Sequence, residues 1–217
     1  MKRSIFLFLG LTSYCAYSSP YIGIGYSYGL FNHDYKVNYI QDGVSLEPDI
    51  DNGEFSLFGG YQFTEQFALE FGYSFFNLKD DYSRTIGTIS DSGKDYIHER
   101  EWNAKVNADQ FYIAPAFSFY FDGQKKWKAN IKTGVTYTQY HSKSMSYDQY
   151  EYILNDDIEF MINRHSNERK NNEIGFLIGT GVDYNIYDNL WLGLSISYQI
   201  DEFSDSTLAG VSAYYRF

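Results

Sequence analysis

The last eleven residues, Thr207-Leu-Ala-Gly-Val-Ser-Ala-Tyr-Tyr-Arg-Phe217, alternate strictly between two kinds of side chain. Phe217, Tyr215, Ala213, Val211 and Ala209 make one apolar wall, and Arg216, Tyr214, Ser212 and Gly210 make the other, polar or small one. Side chains on a strand point to opposite faces in turn, so the segment has one oily and one wet surface. Few folds accept a strand of this kind that also closes on an aromatic ring. A soluble sandwich is one, and a barrel crossing lipid is the other.

The start of the chain decides between them. Lys2 and Arg3 precede the short apolar run Ile5-Phe-Leu-Phe-Leu-Gly-Leu11, and Ala16-Tyr17-Ser18 supplies small residues for cleavage before Ser19. Residues 1–18 therefore read as a secretory signal peptide, leaving 19–217 as a single exported domain. Tyr14 is too bulky for a lipoprotein cleavage site at Cys15, the one cysteine, so the exported chain depends on no disulfide. Losing Met1 to Ser18 removes two of 17 basic and none of 28 acidic residues, so the net charge falls from −11 to −13. That balance argues against nucleic acid as a partner. The 18 Phe and 23 Tyr are more rings than a soluble domain of this length needs, but they suit the aromatic belts of a membrane barrel. No exported segment is apolar for long enough to cross lipid as a helix, so a closed barrel is what remains.

The same alternation recurs eight times. Strands are predicted near Tyr21–Tyr28, Glu54–Phe63, Phe67–Phe76, Gln110–Phe121, Trp127–Tyr137, Ile174–Tyr184, Leu190–Tyr198 and Thr207–Phe217. Tight turns at 64–66, 122–126 and 187–189 alternate with long polar stretches at 29–53, 77–109 and 141–172, and a shorter one at 201–206. The expected fold is all-β: an eight-stranded antiparallel up-and-down transmembrane β-barrel of the outer membrane, with long extracellular loops. Pro115 removes a ladder donor and predicts a bulge. A barrel this narrow is filled by side chains and acts as a plug. Its inward polar set includes Ser56, Gln62, Glu70, Gln110, Lys128, Asn130, Lys132, Asp183, Gln199 and Arg216. A carboxylate there needs a partner, so Glu70 is expected to pair with Lys132 or another inward base. Glu70, Lys128, Lys132 and Arg216 form the expected interior network.

Phe58-Gly-Gly-Tyr-Gln-Phe-Thr-Glu-Gln-Phe-Ala-Leu-Glu-Phe-Gly-Tyr73 resembles the second hairpin of the outer membrane protein A transmembrane family, including an inward glutamate, here Glu70. The likeness covers the strands and implies the barrel. The peptidoglycan-binding domain that often follows is not implied for a chain ending at Phe217. Tyr215 and Phe217 resemble the terminal signal by which the barrel assembly machinery recognises such proteins. Asn32-His-Asp-Tyr35, Gly43-Val-Ser-Leu-Glu-Pro-Asp49, Glu101-Trp-Asn103, Gly134-Val-Thr-Tyr-Thr-Gln-Tyr140 and Asn171-Asn-Glu173 resemble the accessory colonization factor A family of intestinal bacteria. That resemblance implies a surface protein acting in colonization or adhesion.

Loops held on a rigid scaffold carry recognition. Ser146-Tyr-Asp-Gln-Tyr-Glu-Tyr152 interleaves rings with carboxylates, which makes Tyr147, Tyr150 and Tyr152 candidate contacts for a host-surface ligand, against a plainer reading as strand extensions with ordinary ring packing. Asp49-Ile-Asp51-Asn52 and Asp156-Asp157-Ile-Glu159 lack the glycine-containing spacing of a calcium loop, and no metal or other cofactor is expected. Barrels that deacylate lipid A use His and Ser two positions apart on one strand face. Here His165 and Ser166 are adjacent, so they would face opposite ways. His33, His98 and His141 have acidic neighbours but no placed nucleophile. No catalytic residue is assigned. A lipid-A-modifying enzyme, a small channel and a structural membrane protein remain as alternatives. Expected partners are outer-membrane lipid, lipopolysaccharide and the assembly machinery, for a monomer.

Overall fold

The computed structural model describes residues 19–217, so the expected signal peptide at 1–18 lies outside the described residues. The strands in chain order are β1 (Ser19–His33), β2 (Val37–Tyr39), β3 (Val44–Leu46), β4 (Asp49–Gln62), β5 (Phe67–Asp91), β6 (Lys94–Tyr120), β7 (Trp127–Tyr152), β8 (Asn155–Tyr187), β9 (Leu190–Ile200) and β10 (Ser204–Arg216). β1 pairs with β10 on one side and β4 on the other, so β4 to β10 and β1 form a closed ring of eight antiparallel strands. β2 and β3 make a separate two-stranded hairpin. Lipid offers the backbone no hydrogen bonds, and closure leaves no unpaired strand edge within it.

Alternation places the side chains as the sequence implies. Ile24, Leu57, Phe71, Phe111, Ile131, Ile174, Leu194 and Val211 are exposed on the outside, whereas Gln62, Glu70, Gln110, Lys128 and Asp183 are buried inside. The lumen is more aromatic than the polar set predicts. Tyr21, Phe58 and Tyr214 meet edge-on or tilted, and Trp191 stacks on Tyr214 with centroids 6.1 Å apart. Glycines on facing strands make the room. A Cβ on Gly72 would lie 2.1 Å from the Tyr112 ring, and one on Gly60 would lie 2.3 Å from the Tyr21 ring. Rings and polar side chains together leave a central cavity of about 120 Å³.

Three expectations are corrected. The stretches 77–109 and 141–172 are not irregular loops: β5 and β6 stay paired up to Asp91↔Lys94, and β7 and β8 up to Tyr152↔Asn155. Leu78, Ala104, Val106, Ser142, Ser144 and Ser146 continue the buried parity of the barrel. Small residues at those positions hide the pattern from hydropathy. The 29–53 stretch holds the end of β1, the β2–β3 hairpin and the first turn-proximal residues of β4. Lastly, Pro115 makes no bulge. Ile113↔Val135 and Ala116↔Lys132 keep one register across it, and the missing donor is absorbed by two unpaired positions.

β4 leaves β5 at Lys79, and β9 reaches β8 only from Phe176. Above those points, β5 to β8 rise from the barrel as a four-stranded sheet. Where it leaves the ring, Ile50, Phe76, Leu78, Val106, Ala108 and Tyr140 form an apolar cluster joined by Phe31, Tyr35 and Phe203, which stoppers the mouth.

Gly72→Val is expected to lower the yield of folded barrel sharply, because the added methyls overlap the Tyr112 ring. Wild type should migrate as a compact band in unheated detergent gels and shift on boiling, while the variant should run at the boiled position without heating. Equal compact bands would show that the Tyr112 ring moves aside freely.

Candidate functional site

Two ionic nodes lie in the lumen. At the first, Glu70 accepts hydrogen bonds from Tyr21 Oη (3.0 Å), Tyr112 Oη (2.8 Å) and Lys132 Nζ (3.1 Å). At the second, Asp183 accepts from Asn130 Nδ2 (3.0 Å) and Tyr214 Oη (3.1 Å), with Lys128 Nζ at 3.5 Å. Lys128 also sits over the Trp191 and Tyr214 rings. Arg216 donates through Nε to Ser19 Oγ (2.9 Å) and through Nη1 to Tyr120 Oη (3.3 Å). So Glu70 and Lys132 meet directly, Lys128 belongs to the Asp183 node, and Arg216 ties the chain's first and last strands. Sequence reasoning missed Glu54, a third buried luminal acid with one carboxylate oxygen unpartnered. Its parity with Ser56 is the signal that could have revealed it.

The emergent sheet is the second feature. Short turns mark the periplasmic end of such barrels, so this sheet is extracellular. On its inner face, Tyr39, Val44 and Leu46 of the hairpin pack on Trp102 and Ala104 of β6. Asp42, at the hairpin turn, accepts from Arg100 Nη1 (3.0 Å), Trp102 Nε1 (3.1 Å) and Arg164 Nη1 (2.9 Å). Asp148 accepts from Arg100 Nε at 2.6 Å and lies 3.1 Å from His98 Nε2 and 3.6 Å from Arg164 Nε. The two aspartates and two arginines thus latch the hairpin onto β6, β7 and β8. Burial alone would raise both carboxyls. For Asp42, the hydrogen bonds from Trp102 and Arg164 outweigh it, and for Asp148 the hydrogen bond from Arg100 and the neighbouring His98 do, so both are held below the usual carboxylate range.

Beyond the latch the inner face is uncovered. Tyr150 stacks between His98 (4.5 Å) and Phe160 (4.7 Å), and Tyr96 packs against Tyr152 and Phe160. Around this ladder, large apolar side chains are exposed: Ile40 (90%) on the hairpin, Leu154 (81%) at the β7–β8 turn, and Ile89, Phe160 and Ile162 on the sheet. The candidate tyrosines are accordingly half-buried in a paired strand. Tyr150 and Tyr152 floor the exposed patch. Tyr147 points to the opposite face and donates to Glu101; burial and that bond push its hydroxyl up to about 12.

A family model described as an outer membrane protein beta-barrel domain matches residues 4–217. The chain belongs to that family. It is therefore an outer-membrane β-barrel protein. No curated protein matches the chain. Among solved structures it is similar to Neisserial surface protein A, at 12% identity over 93% of this chain and 99% of that one, with a TM-score of 0.51. The N-terminal barrel domain of OprF from Pseudomonas aeruginosa (13% identity, 93% and 100% covered, TM-score 0.47) is another such structure. So is Ail, the attachment invasion locus protein of Yersinia pestis (16%, 92% and 97%, TM-score 0.45).

The remaining candidates are placed by the same geometry. Tyr215 and Phe217 are exposed at the periplasmic end of the outer wall, with their rings edge-on at 5.1 Å. His165 and Ser166 pair with Ser146 and Met145, so they sit on opposite faces of β8, and the His165 ring meets Tyr39 edge-on. Among the described residues, no group of three His, Cys, Asp or Glu is arranged to hold a metal ion.

Lys132→Met leaves Glu70 charged and short of a partner, and should cost about 3 kcal/mol or more in urea unfolding from vesicles, while Glu70→Gln with Lys132→Met recovers most of it. Equal stability of the single and double variants would exclude a coupled pair. For the latch, the lowered carboxyls stabilise the hairpin above their unfolded value near 4, and that contribution is lost as pH falls through the lower folded values. The hairpin should resist protease on intact cells at pH 7 and pH 5, and become cleavable below about pH 4. Asp42→Ala should make it cleavable at pH 7 with the gel shift of the barrel unchanged. Continued resistance would place the hold in the Trp102 packing alone.

Proposed function

We propose that the protein is a non-enzymatic surface adhesin whose extracellular sheet carries its contact site. One observation carries this reading. Apolar side chains stand exposed at the far end of the sheet, where water and not lipid surrounds them. At ~3.3 Å per residue and a tilt of about 40°, the β7–β8 turn projects about 40 Å beyond the lipid-facing band. Exposed apolar patches ringed by polar groups mark interaction sites on proteins in water. Here Ile40, Leu154, Phe160 and Ile162 form the patch and Tyr150 and Tyr152 its floor. A host-surface ligand offering an apolar or aromatic group fits that chemistry. Tyr147 points to the other face, where its hydroxyl donates to Glu101, and stands outside the contact. In the same reading the chain is a monomer, and Tyr215 and Phe217 are its mark for the assembly machinery.

Cells displaying Phe160→Ser with Ile162→Ser should bind host cell layers at least about tenfold less than wild type, since a ring and a branched chain buried at a contact contribute a few kcal/mol. Tyr150→Ala with Tyr152→Ala should weaken adhesion too, and Tyr147→Phe should change it little. Adhesion is compared at matched outer-membrane abundance. Unchanged adhesion of the Phe160/Ile162 variant would remove the tip as the site.

A further inference from the structure

The outer face of the emergent sheet carries a feature that neither the lumen nor the tip explains. Lys79 of β5 lies opposite Lys105 of β6, and Lys105 lies opposite Lys143 of β7. Two residues nearer the barrel on the same face, His141 of β7 lies opposite Lys170 of β8. Like charges directly opposite each other on neighbouring strands are destabilising. A row of them needs something that offsets the repulsion. At one end the protein provides it: Lys79 is opposite Asp49 and 2.8 Å from Asp81. Further along, Glu168 is shared between Lys143 (3.3 Å) and His141 (3.7 Å). Lys105 and Lys170 have no ion-pair partner among the described residues. The patch of Lys105, Lys143 and Lys170 therefore keeps a positive excess on a strongly acidic chain.

Its position says what it meets. These lysines share the outward parity of Phe111, Tyr137 and Ile174, which face lipid. They stand four to six residues above those side chains, or roughly 10–15 Å along the barrel axis. Lysine stems bend toward a lipid boundary while the ammonium stays in the polar layer, which shortens that height by several ångströms. The ammonium groups thus lie beside the headgroup layer and not in open water.

We propose that Lys105, Lys143 and Lys170 form a binding site for the phosphate groups of an outer-leaflet glycolipid. Closely set ammonium groups supply the neutralisation that divalent cations otherwise give to neighbouring phosphates. Asn107 and Asn172, on the same face, border the site with neutral amide donors. The site is separate from the apolar tip, which faces the other way.

The test uses the folded full barrel in nanodiscs of neutral lipid, titrated with bisphosphorylated lipid A and with the same lipid after phosphate removal. Binding is read by native mass spectrometry. Wild type should bind the phosphorylated lipid and not its dephosphorylated form. Lys105→Gln with Lys143→Gln and Lys170→Gln should bind on the order of 100-fold more weakly. Lys79→Gln should bind as wild type does, and Glu168→Gln more tightly, because it removes the competing carboxylate. Should the triple variant not fold, Lys170→Gln alone and Glu168→Gln decide by moving affinity in opposite directions. Equal affinity of wild type and these variants, or equal binding of the dephosphorylated lipid, would overturn the proposal. Displacement by millimolar inorganic phosphate would reassign the site to free anions and overturn it as well.

Discussion

Backbone hydrogen bonding in a medium without water governs this molecule. β1 is its keystone, since it closes the ring by pairing with β4 from Ser19 to Ser27 and with β10 from Tyr21 to His33. Once the ring is closed, every side chain is assigned to lipid or lumen by parity alone. The lumen must then solve two problems at once. Acids and bases without bulk water need partners, and eight strands leave little room for them. Rings answer both needs. Tyr21, Tyr112 and Tyr214 fill volume and turn their hydroxyls onto Glu70 and Asp183. Glycines at 60 and 72 make that arrangement sterically feasible.

Above the membrane the same strands continue under different physics. Water can now satisfy an unpaired edge, so β4 and β9 stop while β5 to β8 go on. The inner face must still be covered. The connection after β1 folds back as the β2–β3 hairpin to do so, with Trp102 as the apolar anchor and Asp42 and Asp148 as the ionic latch. Cover ends where the hairpin ends, and the aromatic ladder of His98, Tyr150 and Phe160 begins there.

The membrane half of the fold was legible because lipid enforces a simple code. The outward sets around Ile24, Phe71 and Leu194, the tight turns and the inward Glu70 all followed from period-two alternation. Reading the extension as loops failed for a physical reason: its buried positions are small or polar, as at Ala104, Ser142 and Ser146, and its outer face is bathed in water. Hydropathy contrast vanishes there, although strand pairing does not. The latch was invisible because Arg100 and Asp42 are 58 residues apart and meet only after a hairpin has folded back. Tyr214 shows a different lapse. Its parity places it inside, yet a ring on the wet wall looked like a polar residue and not like packing. The three tyrosines near 150 were drawn to the right end of the molecule, but what stands exposed beside them is aliphatic and phenyl surface.

A projecting sheet that is an unbroken continuation of barrel strands has a mechanical meaning. A flexible loop under tension first straightens, and its end drifts with thermal motion. β7 and β8 hold one register from Trp127↔Tyr184 to Ser146↔His165 and stay paired, across two bulges on β8, to their shared turn, so they contain little slack to take up. A pull at the far turn is passed down the ladder of backbone hydrogen bonds into a ring anchored by the bilayer. Whatever the tip grips is therefore held at a fixed height and angle, and the cell wears the structure as a rigid spur and not as a tether.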